Sequence, residues 1–186
     1  WMTKFGDKDF AYHAAAAKIA AGMLLRLANA DILPYDYVEF AHTMQRYLPA
    51  IDHAMAAKRW GGSTSALQAA IAGMEREAVA YSAARDQVLA AGEPARERRE
   101  AVNAALLRVE RALARPEGLR TRPWYRNLIY VADVDNGYAN MVFPSVNEAI
   151  RAGDEKLTGS EIADLARHFE AATKAIADAR TALGGS

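Results

Sequence analysis

Apolar side chains recur every three or four residues along most of this 186-residue chain, which is the spacing of one face of an α-helix. In the second such segment, for example, Val38, Ala41, Met44 and Leu48 lie in phase. The spacing predicts four long helices, a further helix that is shorter or broken, and one short helix. These are expected at residues 9–30, 36–57, 64–90, 94–114 and 158–183, with the short helix at 145–152.

Prolines and hydroxyl residues mark the expected limits of the first three helices. Pro34 separates the first helix from the second, because the residue before a proline is pushed out of the α region. Pro49 lies inside the second pattern and predicts a kink or an early stop there. Ser63 or Ser65 is the expected N-cap of the third helix.

Two later segments match the capping-box pattern, in which a serine or threonine precedes a glutamate by three residues. They are residues 145–148 and 158–161, and each predicts the start of a helix. In such a box the glutamate bonds back to the backbone of the capping residue. The chain closes with Gly-Gly-Ser at 184–186, which we expect to fray.

Together these elements predict an all-α fold, with no convincing strand. We expect a bundle of four long helices, a short helix and one long ordered loop, in a single domain over residues 1–186. Alanine accounts for 42 of the 186 residues, and its small side chain favours both helix formation and close helix packing.

The predicted loop covers about residues 115–145 and carries a dense aromatic cluster. Loops of this length are uncommon inside compact domains, and ordered ones are usually functional. The aromatic residues are Trp124, Tyr125, Tyr130, Tyr138 and Phe143.

Composition excludes several classes of function. Lysine plus arginine equals aspartate plus glutamate at 23 each, so no long-range basic field attracts nucleic acid or an anionic membrane. No apolar run is long enough to predict a membrane span. The chain has no cysteine, which excludes disulfides, thiolate catalysis and cysteine-bound zinc.

Metal-binding patterns are weak. His42 and His53 are eleven residues apart on one predicted helix, about 16 Å by helical rise, and cannot share one metal ion. Asp133 and Asp135 are close enough in the loop to bind a hard cation, but only with further oxygen ligands. We therefore predict no metal site in this chain.

The loop arginines allow two interpretations. Arg120, Arg122 and Arg126 flank Trp124 and Tyr125, so they either form a cation–π or anion-binding cluster or cover the aromatic rings structurally. The second interpretation is favoured.

Tyr138 follows an Asn-Gly turn signal. From the residues alone, its hydroxyl either projects into a neighbouring cavity or its ring anchors the loop on the bundle.

The motifs of this region occur in an order that resembles one known family. Residues 109–116 read Val-Glu-Arg-Ala-Leu-Ala-Arg-Pro, residues 122–126 read Arg-Pro-Trp-Tyr-Arg, and Ile-Tyr, Gly-Tyr-Ala and Phe-Pro follow. The segments Lys-Phe-Gly-Asp at 4–7 and Leu-Pro-Tyr-Asp at 33–36 fit the same pattern. The chain thus resembles, over essentially its whole length, the C-terminal dimerisation domain of the glutamate carboxypeptidase II and transferrin receptor family.

The resemblance implies a homodimer and a larger parent protein. The parent would be a zinc-dependent exopeptidase, a carboxypeptidase or aminopeptidase, whose metal ligands and catalytic glutamate precede Trp1. This chain would then be a fragment that is inactive alone and caps the substrate pocket of the upstream protease domain. The alternative is a non-catalytic binding and dimerisation module, as in the transferrin receptor branch. The resemblance also points to an extracytoplasmic location.

Within the loop, the resemblance makes Tyr138 the candidate substrate contact. Gly137 stands where glutamate-specific members have a lysine, so the cation that would pair with a substrate carboxylate is absent. Asn127 and Asp133 also depart from the family pattern, without an evident role. We expect residues 122–130 to lock the loop onto the bundle and residues 136–143 to face the partner domain.

Overall fold

The computed structural model describes residues 1–184, so the predicted frayed end lies outside the described residues except for Gly184. The chain divides into two compact units, Trp1–Tyr35 and a second unit that begins at Asp36. The first unit contains two helices, α1 (Met2–Phe5) and α2 (Ala11–Ala28). The second contains α3 (Tyr37–Ala57), α4 (Ser65–Ala90), α5 (Arg96–Ala112), β1 (Tyr130–Ala132), β2 (Asn140–Val142), α6 (Pro144–Ala152) and α7 (Glu155–Gly184).

The first unit is organised by a local contact at the start of α2. The buried carboxylate of Asp7 accepts a hydrogen bond from the backbone N–H of His13 and lies 2.6 Å from its Nδ1 atom. Phe10 precedes the helix with φ 55°, so α2 begins at Ala11 rather than at residue 9. The predicted helix is present, with each end shifted by two residues.

The second unit is built around α7, the longest helix. α7 packs against α4, α5 and α6, and α3 packs against α4. Four long helices and one short helix therefore form this unit, and the all-α prediction is confirmed. The buried residues of α7 follow the predicted helical spacing and include Ile162, Leu165, Phe169, Ala172 and Ile176.

An aromatic group joins the end of the long loop to the bundle. The ring of Phe143 lies edge-on to Phe169 of α7, with 6.3 Å between the ring centroids, and 6.5 Å from the ring of Tyr47 of α3. Phe143 is fully buried. The expectation that residues 136–143 face a partner is therefore wrong for Phe143, and also for Met141, which is buried as well.

The prediction of a fold without strands is wrong at one place. β1 and β2 form an antiparallel pair in which Tyr130 lies opposite Val142 and Ala132 opposite Asn140. Each strand has only three residues, which is too short for an alternating pattern to be recognised in the sequence.

Pro49 does not end its helix, since α3 continues to Ala57. A proline inside a helix removes one backbone hydrogen bond. Its neighbours Leu48 and Ile51 are buried on the core side, whereas Pro49 itself is exposed. Packing of that apolar face holds the helix together across the proline, so the early stop is wrong.

The predicted N-caps are also wrong. Thr64 precedes α4, and both its backbone N–H and its hydroxyl donate to the carboxylate of Asp52 on α3, so the helix start is fixed by a tertiary contact. α6 begins directly after Phe143, whose φ is 48°. α7 starts after Asp154, whose carboxylate accepts from the N–H of Leu157. The glutamates of the two expected capping boxes serve another purpose, described next.

Candidate functional site

The segment between α5 and α6, residues 113–143, is called the aromatic loop below. Backbone hydrogen bonds close its first half: the N–H of Arg115 donates to the carbonyl of Arg126, and the N–H of Leu119 to that of Tyr125. Gly118 has φ 72°, and a Cβ there would lie 2.0 Å from the carbonyl oxygen of Pro123. Only glycine fits this close approach of two backbone segments.

Glu148 of α6 is the first carboxylate that anchors the loop. It is 7% exposed and accepts hydrogen bonds from the Nε and Nη2 atoms of Arg122 and from the hydroxyl of Thr121. The Nη1 atom of Arg122 donates to the carbonyl of Ala132 at the end of β1. The same guanidinium lies over the ring of Tyr125, 4.7 Å from its centroid. One arginine therefore joins α6, β1 and the aromatic cluster.

Glu161 of α7 is the second anchoring carboxylate, with 2% of its surface exposed. It accepts from Arg115 and from Arg120, each at 2.9 Å. Arg115 also donates to Asp164 of α7 and to the carbonyl of Gly118, its neighbour in the loop. Three of the four arginines of the loop, Arg115, Arg120 and Arg122, are therefore bound to carboxylates of α6 and α7.

For Arg120 and Arg122, these contacts decide between the two interpretations of the loop arginines. Arg122 covers the ring of Tyr125 and is paired with a buried carboxylate, which is the structural role. Arg120 is also paired, although most of its side chain is exposed. The expectation that residues 122–130 lock the loop onto the bundle agrees with this arrangement.

Asn127 and Asp133, whose roles the sequence left unassigned, shape the second half of the loop. The side-chain oxygen of Asn127 accepts from the N–H groups of Ile129 and Tyr130, which leads the chain into β1. One oxygen of Asp133 accepts from the N–H groups of Asp135 and Asn136, which bends the chain back towards β2. Both side chains therefore shape the loop by accepting hydrogen bonds from its backbone N–H groups.

Arg151 of α6 fixes the turn between the strands. Its guanidinium donates to Asp133 at 2.7 Å and to Asp135 at 2.9 Å. The hydrogen bond from Arg151 lowers the pKa of Asp133 to about 2. The two aspartates that the sequence offers as cation ligands are thus both paired with one arginine. Residues 1–184 contain no group of three or more metal-ligating side chains that could hold an ion.

Gly137 and Tyr138 lie at the tip of this turn. The side chain of Tyr138 is fully exposed, and its backbone N–H donates to the side chain of Asn136. Gly137 does not have a positive φ, and a Cβ at this position would meet open space. The tip therefore presents one aromatic hydroxyl to the surroundings, beside a position with room for a longer side chain.

Sequence reasoning missed Glu148, Glu161 and Arg151. Both glutamates matched a local capping pattern, which competed with their tertiary role. A usable signal is the number of arginines in the loop, because guanidinium groups enclosed by a fold need carboxylate partners.

Comparison with known proteins places these features in a family. Residues 62–177 match the model of the transferrin receptor-like dimerisation domain. A probable glutamate carboxypeptidase of Arabidopsis thaliana is 29% identical over 185 residues, which is 100% of this chain and 26% of the relative. A probable glutamate carboxypeptidase of Zea mays is 31% identical over 81% of this chain and 21% of the relative.

An inactive zinc metalloprotease of Schizosaccharomyces pombe is 26% identical over 89% of this chain and 22% of its own length. The chain thus spans about a quarter of the length of the curated relatives it matches. The family match covers more than half of the chain, including α4, α5, the aromatic loop, α6 and most of α7. This chain therefore belongs to the transferrin receptor-like dimerisation domain family.

Proposed function

We propose that this chain is the dimerisation and substrate-pocket-capping domain of a zinc-dependent exopeptidase similar to the glutamate carboxypeptidases, and that it is inactive alone. The observation that carries the proposal is Tyr138, a fully exposed aromatic residue at the tip of a hairpin that is anchored on both sides of its base. A rigid base with an exposed tip is suited to reach into a neighbouring domain.

Rigidity of the base follows from its charged contacts. Glu148 and Glu161 bind the first half of the loop, and Arg151 holds the turn next to the tip. Each contact connects the loop to α6 or α7, which are packed against each other. A side chain that contacts a substrate must be held within a fraction of an ångström, and such supporting contacts provide this.

Zinc belongs to another part of the parent protein in this proposal. The described residues offer no ligand set for it. In the parent, the metal would polarise the scissile carbonyl and supply a hydroxide at neutral pH. The contribution of this chain is restricted to binding: Tyr138 donates or accepts a hydrogen bond at the end of the substrate, and the hairpin excludes water around it.

Substrate preference is expected to differ from that of the glutamate-specific members. Gly137 provides no cation, so a substrate carboxylate would lose its charge-assisted partner at this position. We propose that the pocket accepts a neutral or aromatic side chain, with the exposed ring of Tyr138 as one wall.

A second candidate is a non-catalytic dimerisation module. The inactive relative from Schizosaccharomyces pombe and the missing lysine favour it. The retained Tyr138 favours the peptidase. The residues that precede this chain in its polypeptide distinguish the two, since a peptidase requires histidine, aspartate and glutamate ligands there.

The decisive experiment measures peptide hydrolysis by the complete zinc-loaded polypeptide and by its Tyr138→Phe variant. We expect KM to rise about tenfold, since one hydrogen bond to the substrate is lost, with the dimer unchanged in sedimentation. Tyr130→Phe is the matched control, because Tyr130 is exposed on β1 rather than at the tip. Unchanged kinetics in Tyr138→Phe would refute the contact, and no hydrolysis by the parent would favour the second candidate.

A further inference from the structure

The turn that carries Tyr138 contains two groups that can react with each other. Asn136 is the only asparagine of the chain that a glycine follows, and both Asn136 and Gly137 are exposed. The backbone nitrogen of Gly137 is a nucleophile, and the side-chain carbon Cγ of Asn136 is an electrophile. A bond between these two atoms closes a succinimide ring.

The side-chain amide of Asn136 is polarised for this attack. Its Oδ1 atom accepts a hydrogen bond from the backbone N–H of Tyr138, at 3.2 Å. A donor at this place stabilises the negative charge that develops on a carbonyl oxygen when a nucleophile adds to its carbon. The backbone N–H of Asn136 donates to Asp133, which holds the residue in the turn.

The backbone nitrogen of Gly137 is available as the nucleophile. In the part of the chain that the structure describes, its N–H donates no hydrogen bond. The carbonyl of Asn136, which belongs to the same peptide unit, accepts from the N–H of Ala139 at 2.9 Å. A deprotonated peptide unit shares its negative charge with its oxygen, and a hydrogen bond to a charged form favours that form. This contact therefore assists the loss of the proton from the nitrogen.

The carboxylates near the turn would oppose that deprotonation if they were unpaired. Asp133 and Asp135 are the two acidic residues of the turn, and both are paired with Arg151. The arginine thus reduces their repulsion of a negative charge on the neighbouring backbone.

Gly137 also leaves room for the ring. A Cβ at this position would have no atom within 4 Å, so the turn is open on this side. Asn140 of the same hairpin provides a contrast. It lies in β2 and is followed by the buried Met141, whose side chain would crowd the ring.

We propose that the hairpin tip is a site of spontaneous deamidation at Asn136. The nitrogen of Gly137 loses its proton and bonds to Cγ of Asn136, while the bond between Cγ and Nδ2 breaks and the side-chain nitrogen leaves as ammonia. Water then opens the succinimide. Its attack at Cγ gives aspartate at residue 136, and its attack at the main-chain carbonyl carbon gives isoaspartate. One amide and one water become one carboxylic acid and one ammonia, so no further reactant is required.

Either product changes the surroundings of Tyr138. The new carboxyl group is charged at neutral pH and lies two residues from the tyrosine. Isoaspartate also lengthens the main chain by one carbon–carbon bond, about 1.5 Å. A displacement of about 1 Å at a substrate contact can lower a rate about a hundredfold. This consequence rests on the proposed function: the complete polypeptide would lose affinity for its substrate as the tip ages, whereas the reaction itself does not depend on zinc or on catalysis.

Peptide mass spectrometry of the folded 186-residue chain tests the reaction. Trypsin releases residues 127–151 as one peptide, because no lysine or arginine lies between Arg126 and Arg151. Fragmentation of this peptide locates each amide that has become an acid during incubation at neutral pH. We expect conversion at Asn136 to be at least about tenfold faster than at Asn140. Equal rates at the two asparagines would overturn the proposal.

Gly137→Ala isolates the ring closure. The added methyl group meets open space and the φ of Gly137 is not positive, so the variant should fold as the unaltered chain does. Conversion at Asn136 should slow at least about fivefold, because the Cβ hinders the attack. Gly159→Ala, where a Cβ also meets open space, is the control and should leave this rate unchanged. Conversion in Gly137→Ala at the rate of the unaltered chain would also overturn the proposal.

Kinetics of the complete polypeptide test the consequence for the substrate. Asn136→Asp reproduces one product and should raise KM about fivefold for a peptide whose carboxylate is held near Tyr138, since like charges repel. Asn140→Asp is the control, because it places the same charge on β2 rather than at the tip, and should change KM less. An unchanged KM in Asn136→Asp would contradict the effect on the substrate. The mass spectrum alone decides the reaction, so a failure of the proposed pocket contact would be recognised separately by the Tyr138→Phe kinetics.

Discussion

Two glutamates with the same local pattern, Glu148 and Glu161, hold the aromatic loop on the bundle. Each lies three residues after a serine or threonine, yet each is buried and paired with loop arginines. Capping a helix and pairing with a buried arginine contribute different amounts to the free energy of folding. A helix cap contributes about 1 kcal/mol, whereas removing one partner of a buried ion pair costs about 3–5 kcal/mol.

Glu148→Gln is expected to destabilise the chain by about 3–5 kcal/mol, because the guanidinium of Arg122 would stay buried without its counter-charge. Urea unfolding followed by circular dichroism measures this change. Glu100→Gln is the matched control, because Glu100 pairs with Arg96 at the surface and its replacement should cost much less stability. A loss of only about 1 kcal/mol in Glu148→Gln would indicate a capping role instead.

At the residue scale, the sequence indicated the candidates but not their partners. Arg122 and Tyr138 were identified from motifs and turn signals. Glu148 was assigned to its own helix because local patterns extend over three or four residues, whereas its partner Arg122 is 26 residues away. Pairing over such distances depends on how α6 and the loop fold back on each other, which a single sequence does not encode in any short pattern.

At the scale of secondary-structure elements, α6 stabilises the hairpin formed by β1 and β2. β1 and β2 have only three residues each, and a two-stranded hairpin of this size is at best marginally stable by itself. Arg151 of α6 supplies the missing support through Asp133 and Asp135. The tip with Tyr138 is thereby positioned by a helix that lies outside the loop.

Arg151→Met should loosen the turn, because the N–H groups of Asp135 and Asn136 bond to an aspartate that loses its partner. We expect those two amides to exchange about three- to tenfold faster at neutral pH. Arg167→Met is the control, because Arg167 pairs with Asp164 at the surface of α7 and not with the hairpin. Unaltered hydrogen exchange of these two amides in Arg151→Met would show that the strands hold the turn without help from Arg151.

The same pair predicts a pH dependence. The pKa of Asp133 is lowered from 3.8 to about 2 in the folded chain, so its contribution to stability is present above pH 3.8 and is lost as the pH falls towards 2. The thermal midpoint of the unaltered chain should exceed that of Arg151→Met at neutral pH. The difference between the two thermal midpoints should shrink as the pH falls from the higher to the lower of these values. A constant difference would contradict the ion pair between Arg151 and Asp133.

At the element scale, the long helices were predictable, because apolar periodicity over many residues averages out local exceptions. Their observed ends differ from the predicted ones by at most three residues. The two strands were not predictable, since three residues carry no recognisable alternation. Pro49 shows the limit of a local rule, because packing of Leu48 and Ile51 outweighs the hydrogen bond that the proline removes.

At the scale of the whole molecule, the chain divides into two compact units. The second unit has its own core and contains the matched dimerisation segment. The first unit carries the apolar helix α2. No helix in the described part of the chain is long and apolar enough to cross a membrane.

We expect the 186-residue chain to be a dimer at high micromolar concentration, because the matched dimerisation segment is present in it. Sedimentation velocity over a concentration series measures this. Leu24→Glu is the control and should leave the dimer intact, because Leu24 is exposed and lies outside the matched segment. Sedimentation as a monomer throughout the series would contradict the expected self-association.

We also expect the purified 186-residue chain to hydrolyse no peptide after addition of zinc, because its described residues offer no set of metal ligands. The complete polypeptide, treated with zinc in the same way, is the positive control. Reproducible zinc-dependent hydrolysis by the 186-residue chain would contradict the proposal that the zinc ligands lie in another part of the polypeptide.

Gly118 and Gly137 show how differently two glycines of one loop are constrained. At Gly118 any side chain would collide with the backbone of Pro123, so a substitution there should be removed by selection for folding alone. At Gly137 any side chain has room, so folding imposes no choice. The chemistry beside Tyr138 can therefore be exchanged by one codon change, and Gly137 is the position at which to test whether the proposed substrate preference can be altered.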